Sequence, residues 1–354
     1  MSEKQPKLRK NLIWSFLFVL IAAASVWAVI SQNKSFSIGQ YIRFLRQCRP
    51  VWIAAAFLSM LTFIWFSAEA IRVLLRAFDA PRSPLQGLSY AAADLYFSAI
   101  TPSATGGQPA AGLFMMRDGV SGVTATVILL ANLAMYTISI VLIGLVCLIL
   151  RPGTFLRFSG FSRFLIIIGA VIQISLATFY CVMLWKEKIL DRLINKLLKL
   201  ILKIKWIKHP EALEQRVLGA LSRYAKSAEL IRGKQKVLWK NLLYNMTLRT
   251  AQICVTMFCY LAQGGQGSAA FDLFALQSNV VVGSTFIPIP GAMGVTDFLM
   301  LDGFQSIMSK QNASNLELLS RTTSFYVCIF LCGTIVLIRT ITMRLREKTP
   351  ETHD

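Results

Sequence analysis

Histidine is almost missing from this chain: of 354 residues only His209 and His353 are histidine, too few for a metal cluster and a poor basis for a His-centred catalytic device. Acid is scarce as well, with 17 Asp and Glu against 37 Lys and Arg, a formal net charge of +20. Charged residues of either sign make up only 15%. The seven cysteines (Cys48, Cys147, Cys181, Cys254, Cys259, Cys328, Cys332) contain no CxxC pair and are odd in number. They read as small apolar fillers rather than as ligands or a disulfide framework. Neither a metal nor a cofactor is expected.

What is abundant is apolar sequence. Hydrophobic residues account for 55%, mean hydropathy is +0.57, and several apolar runs exceed the roughly 18 residues needed to cross a bilayer. The fold class that follows is all-α: a polytopic integral membrane protein forming one membrane domain over residues 1–354. The basic residues flank or separate the apolar runs, and aromatic-basic patches of the RNA-binding kind are absent. The partner implied by the charge is therefore an anionic lipid surface and no nucleic acid.

Two stretches break the apolar pattern. Ser98 to Arg117, SAITPSATGGQPAAGLFMMR, holds Thr101, Pro102, Gly106, Gly107, Gln108 and Pro109 inside an apolar region and cannot be one unbroken helix. Phe286 to Phe298, FIPIPGAMGVTDF, does the same with Pro288, Pro290, Gly291, Gly294 and Asp297. A backbone break at membrane depth survives only where protein or a wet cavity covers the freed N–H and C=O groups, which makes both stretches site candidates. Leu85–Thr101 and Pro109–Arg117 form a hairpin whose second arm, about 14 Å long at 1.5 Å per residue, is too short to cross. Phe271–Phe286 and Val295–Met308 form a second. Asp94 in the first arm is either a functional carboxylate or a hydrogen-bonded structural one.

Full spans are expected near residues 12–30, 51–75, 123–150, 164–185, 238–262 and 321–339, six in all besides the two re-entrant or broken-helix hairpins. Glu69, Arg72 and Arg76, three and four apart, read as an ion-pair face or a cavity lining. The hydrophilic insertion 186–240 carries fifteen Lys or Arg and five Asp or Glu. Its apolar residues from Leu190 to Ile204 recur at helical spacing among lysines, as in a basic helix lying on the membrane or on its own protein. With the N-terminus inside, the Lys and Arg divide into 27 inside, 8 outside and 2 within spans, Arg249 and Arg321. That satisfies the positive-inside rule and puts both termini in the cytoplasm. The order span, span, hairpin, span then occurs twice with opposite starting sides, about 12–150 and about 164–339, an inverted repeat of the kind transporters use.

The motif ITPSATGGQP with Arg117-Asp118-Gly119 after it, followed later by PIPGAMGVTDF and by Arg321 with TTSFY, resembles the flippase-like transmembrane region of the lysylphosphatidylglycerol synthetase family. This is the membrane part of the multiple peptide resistance factor, also found as free-standing proteins and in proteins linked to glycan or hopanoid lipids. The likeness covers about Leu12 to Arg339. The family's second motif is usually a Pro-Gly-Gly-x-Gly run ending in Glu. Here Gly291 and Gly294 match, Ala292 stands at the second Gly and Asp297 stands for Glu; in the first motif the neutral Gln108 stands where Glu is frequent.

The resemblance implies a bacterial cytoplasmic membrane, a role in lipid transport or lipid metabolism linked to antibiotic resistance, and phospholipid substrates, anionic or aminoacylated. It also implies a second reading, a membrane component of phosphatidylglycerol lysyltransferase working with a separate synthase or glycosyltransferase, since the transfer chemistry of full-length members belongs to a soluble domain that this sequence does not show. No catalytic residue is expected in the chain itself. Helix starts at Gly107–Pro109 and Gly294–Asp297 can offer N–H donors to a phosphate, Arg321 or Arg249 can pair with it, and Arg117 belongs to the same expected substrate site. Asp94 and Asp297 can meet an amino group or carry a proton. Against this, the glycines can serve close packing alone, and Asp297 can simply cap its own half-helix.

Overall fold

The computed structural model describes residues 38–101, 105–186, 192, 196, 210–287, 292 and 294–348. The expected first span, Pro102, Pro288, Pro290 and Gly291 lie outside them, as does the basic amphipathic helix apart from Arg192 and Lys196. Among the described residues there are helices and no strands.

The helices follow the capping residues. A short α1 (Ile38–Gln47) leads to α2 (Pro50–Ala77), where Pro50 takes the first turn, a position that needs no N–H. Next, α3 (Pro84–Ile100) opens on a full capping box: Ser83 Oγ accepts from Gln86 N at 3.3 Å while Gln86 Oε1 accepts from Ser83 N at 3.0 Å. The returning arm is α4 (Gly107–Arg117), 11 residues. Ser121 caps the long α5 (Gly122–Leu150), a short α6 (Pro152–Leu156) follows, and Ser159 caps α7 (Gly160–Trp185). Beyond the insertion come α8 (Pro210–Gly233) and α9 (Gln235–Ala262), then a 3-10 turn at Gly267–Ala269 and the second hairpin, α10 (Ala270–Ser284) and α11 (Val295–Phe304). Ser309 caps α12 (Lys310–Arg321), which runs through a π-helical turn, Thr322–Val327, into α13 (Cys328–Lys348).

Among the described residues four stretches are long and apolar enough to cross a membrane: Pro50–Ala77, Gly122–Leu150, Gly160–Trp185 and Lys310–Leu345. The expected fifth span, α9, has the same 28-residue length as α2, but Lys236, Lys240, Asn241, Asn245 and Arg249 lower its apolarity. Lys236 and Lys240 are exposed near its start, whereas Asn241, Asn245 and Arg249 face protein. Asn241 Nδ2 donates to Ala70 O at 2.7 Å and to Asn132 Oδ1 at 3.1 Å, and Asn245 Nδ2 donates to Asn132 Oδ1 at 3.2 Å, all buried. Amide bridges of this kind join helices inside a bilayer, where no water competes for them. The last span also starts eleven residues earlier than expected, because the polar first turns of α12 conceal a helix already running from Lys310.

The two halves share an order: a long helix (α2, α9), a hairpin (α3–α4, α10–α11), then another long helix (α5, and α12 through α13). The two leading helices lie antiparallel along their whole length. Arg49 N donates to Ala262 O at 2.8 Å at one end, and Lys234 Nζ donates to Ala77 O at the other.

Other contacts sort the helix ends into the same two sets. At the Ala77 end, Arg339 Nη2 meets Asp118 Oδ1 at 2.6 Å, and Tyr90 Oη donates to Asp118 Oδ2 at 2.6 Å. The opposite end holds Arg157 Nη1 at 3.1 Å and Arg151 Nε at 3.5 Å from the Asp272 carboxylate, with Ser159 N donating to Asp302 Oδ2 at 2.8 Å. Glu69 pairs with Arg72, whose Nε reaches Arg82 O at 3.1 Å. This group joins α2 to the start of α3 and is the ion-pair face rather than a cavity lining.

Candidate functional site

The ends of α3 and α10 that approach the two breaks converge on one cavity of about 310 Å³. Ser98 and Ala99 reach it from the first hairpin, and Gln277, Ser284 and Thr285 from the second. Tyr136 of α5, Gln252 and Thr256 of α9, and Ser320 and Arg321 of α12 close the other sides. Phe63, Leu95, Val281, Met300 and Ile329 supply apolar walls. The volume equals about ten liquid waters, which suits a headgroup of about ten heavy atoms.

Arg321 sits in the wall, 8% exposed, where α12 gives way to the π-helical turn. The turn adds a residue to the helical repeat and carries Ser324 and Phe325 to the cavity beside Arg321; such turns concentrate at functional sites. The guanidinium carbon lies 5.0 Å from the Phe325 ring centroid. Arg321 Nε is 2.8 Å from Asp297 Oδ1, an ion pair in which Oδ1 has no aligned hydrogen bond. Asp297 Oδ2 accepts from Gly294 N at 2.9 Å. Each carboxylate oxygen thus has its own task, one at the half-helix start and one on Arg321. Glu317, one turn before Arg321, is within reach of both. Thr256 Oγ1 and Ser320 Oγ, 2.5 Å apart and buried, pin α9 to α12 at the same level.

Arg249 lies one layer behind. It is 3% exposed, stacks its guanidinium 4.5 Å from the Tyr136 ring centroid and bonds Gln252 through Nη1. Among the described residues its Nε and Nη2 are buried with no hydrogen-bond partner, as is Gln277 Oε1.

Of the expected site residues that the structure describes, only Arg321 lines the cavity directly. Asp297 and Arg249 touch residues of its wall. In the first hairpin, Asp94 Oδ2 accepts from Gln108 Nε2 at 3.0 Å and Asp94 Oδ1 from Ser98 Oγ at 3.4 Å, so Asp94 and Gln108 bind the two arms together. A Cβ on Gly107 would stand 2.5 Å from Asp94 O and 2.0 Å from Ser98 Oγ. This glycine is required for close packing and presents no open face to a ligand. Thr101 Oγ1 accepts from Gly106 N at 2.9 Å, closing the turn on itself, and Pro109 is exposed.

Arg117 is misplaced by the sequence reading. The 11 residues of α4 carry it about 16 Å from the tip, and it is exposed at the hairpin base. In the second break Gly294 has φ +80° with open space around it, and Ala292 has φ +48°, the left-handed region that favours glycine. Ala292 occupies the position where a glycine is usual in the resembling motif, and its backbone explains that usage.

Tyr136, Gln252, Gln277, Glu317 and the π-helical turn were missed. For Tyr136, Gln252 and Gln277 the one visible signal was a single polar residue in an apolar helix.

These features define a multi-pass helical membrane protein whose interrupted helices meet at a cavity lined by polar and apolar side chains. Residues 12–332 match the family described as the lysylphosphatidylglycerol synthase TM region, and the chain belongs to that family. It is also 24% identical over 254 residues to the UPF0104 membrane protein PH1989 of Pyrococcus horikoshii, across 69% of this chain and 73% of that one.

Proposed function

We propose that the chain is a lipid translocator of the flippase type, carrying a phospholipid headgroup through the cavity while the acyl chains stay in the bilayer. The observation that carries this is the convergence of both hairpin ends on one cavity that sets hydroxyls, amides and a buried arginine among apolar walls. A charged headgroup is costly in hydrocarbon, and a shielded polar route lowers that cost. The antiparallel α2–α9 pair, each leading its own hairpin, supports an inverted repeat, the architecture in which one half rocks against the other around a central site. In this reading the Ala77, Asp118 and Lys234 ends face the cytoplasm, in accord with the positive charge around them.

The test is reconstitution into liposomes carrying acyl-labelled fluorescent phosphatidylglycerol, with a membrane-impermeant quencher reporting the leaflet. Ala99→Trp fills the cavity from the α3 side and is expected to stop translocation without lowering the melting temperature. An Ala99→Trp protein as active as its parent would remove the cavity from the pathway.

A further inference from the structure

Two arginines serve this region, Arg321 in the cavity wall and Arg249 one layer behind it against the wall residues Tyr136 and Gln252, and they differ in one respect. Arg321 already has an anion, Asp297, at 2.8 Å, with Glu317 alongside. Arg249 has a neutral amide, Gln252, and a ring face, Tyr136, while two of its nitrogens are buried without a partner among the described residues. Among the described residues no carboxylate pairs with it. A cation this deep, 3% exposed on a helix inside the membrane domain, is costly unless an anion compensates it.

The geometry points to Arg249 as the anion receptor of the site. Resting on the translocator reading, we propose that its missing counter-charge is the phosphodiester of the lipid headgroup, with Gln252 yielding the guanidinium to the phosphate. A charge-assisted pair is roughly twice as strong as the neutral amide contact it replaces. One uncompensated positive charge calls for one negative charge, so the class is a singly charged phosphodiester. The orphaned Gln277 Oε1, in the cavity wall, is an acceptor. It selects a headgroup that also brings a donor, a hydroxyl or an ammonium. Arg321 is then a positioning residue that holds the second hairpin through Asp297.

The experiment uses the full chain in detergent with dihexanoyl phosphatidylglycerol, dihexanoylglycerol and inorganic phosphate as probes, read by calorimetric titration and melting temperature. The parent is expected to bind the short phospholipid and ignore the diglyceride. Arg249→Gln should bind it at least tenfold more weakly while melting no lower than the parent without ligand, because an unpaired buried charge has been removed. Arg249→Lys, which keeps the charge, should recover most of the binding. An Arg249→Gln protein with parental affinity, or one that melts lower without ligand and shows no specific binding loss, overturns the proposal and makes the arginine a packing element against Tyr136. Equal Arg249-dependent affinity for inorganic phosphate overturns the lipid assignment in favour of free phosphate. Translocation is read separately: a parent that binds but does not translocate refutes the function and leaves the receptor standing, whereas one that translocates with Arg249→Gln unimpaired does the reverse.

Discussion

Arg321 Nε and Asp297 Oδ1 stand 2.8 Å apart, tying the last long helix to the first turn of a ten-residue arm. Asp297→Asn separates this bond from the cap, since Asn at this third helical position keeps an oxygen that can accept from Gly294 N and changes little in volume. Breaking a fully buried pair costs about 3–5 kcal/mol. The Asp297 side chain is 32% exposed and Glu317 remains beside Arg321, so the expected loss is smaller, about 1–3 kcal/mol. Arg321→Gln should lose a similar amount, and the double variant no more than either single one. Chemical unfolding of the four proteins checks this; strictly additive losses would show that the two residues stabilise the protein independently.

Far from the cavity, Asp118 accepts from Arg339 and from Tyr90, both at 2.6 Å, and fastens the base of the first hairpin to α13. The paired side chains are only 18% and 9% exposed, so Asp118→Asn is expected to destabilise by about 2–4 kcal/mol. Arg339→Met in the same background should recover part of that loss by removing the stranded charge. Unfolding midpoints decide it, and a double variant worse than Asp118→Asn alone would contradict the pairing.

The two breaks were legible because proline and adjacent glycines are local signals that no tertiary contact can hide. The helix order was legible from apolar run length. The cavity wall was not. Tyr136, Gln252 and Gln277 sit in three separate helices, and which way each faces is decided by how α5, α9 and α10 pack, a relation without a sequence period. Arg117 was drawn into the site by its closeness to the first break in sequence, although a helix of 11 residues is long enough to carry it to the opposite end. Glu317 escaped notice because the polar turns of α12 read as a surface connection. For Arg249 the sequence offered depth alone; only the fold shows that its neighbours are neutral.

The glycines at the two tips should respond differently to an added methyl. At Gly107 the new Cβ meets the Asp94 carbonyl at 2.5 Å as well as the Ser98 hydroxyl, so Gly107→Ala is expected to cost about 3 kcal/mol, the upper part of the overpacking range. Ser98→Ala should recover some of this but not all, because the backbone contact stays. Gly294 has open space and φ +80°, so Gly294→Ala costs only backbone strain, about 1–3 kcal/mol, and no trimming of a neighbour restores it. Melting temperatures of the single and paired variants test the distinction; full rescue of Gly107→Ala by Ser98→Ala would show that the α3 backbone can yield.

The sorting of helix ends into two sets predicts which positions share a face of the membrane. Arg157 pairs with Asp272 near the start of α10, next to the Gly267 turn, while Lys226 lies on α8, whose Tyr224 Oη donates to Met183 O near the end of α7. Gln311 opens α12, which follows the second hairpin's returning arm. The positive-inside rule assigns the Lys226 set to the cytoplasm, since the 186–240 insertion alone holds fifteen Lys or Arg. Single cysteines at positions 157, 267 and 311, in a background with the seven native cysteines removed, are therefore expected to react with an impermeant maleimide in intact cells. A cysteine at position 226 should react only after permeabilisation. Labelling of position 226 in intact cells together with protection of 267 would invert the orientation while leaving the two sets whole. If 157 and 267 label oppositely, the Asp272 pairing fails, and with it the placement of the second hairpin and the inverted repeat built on it.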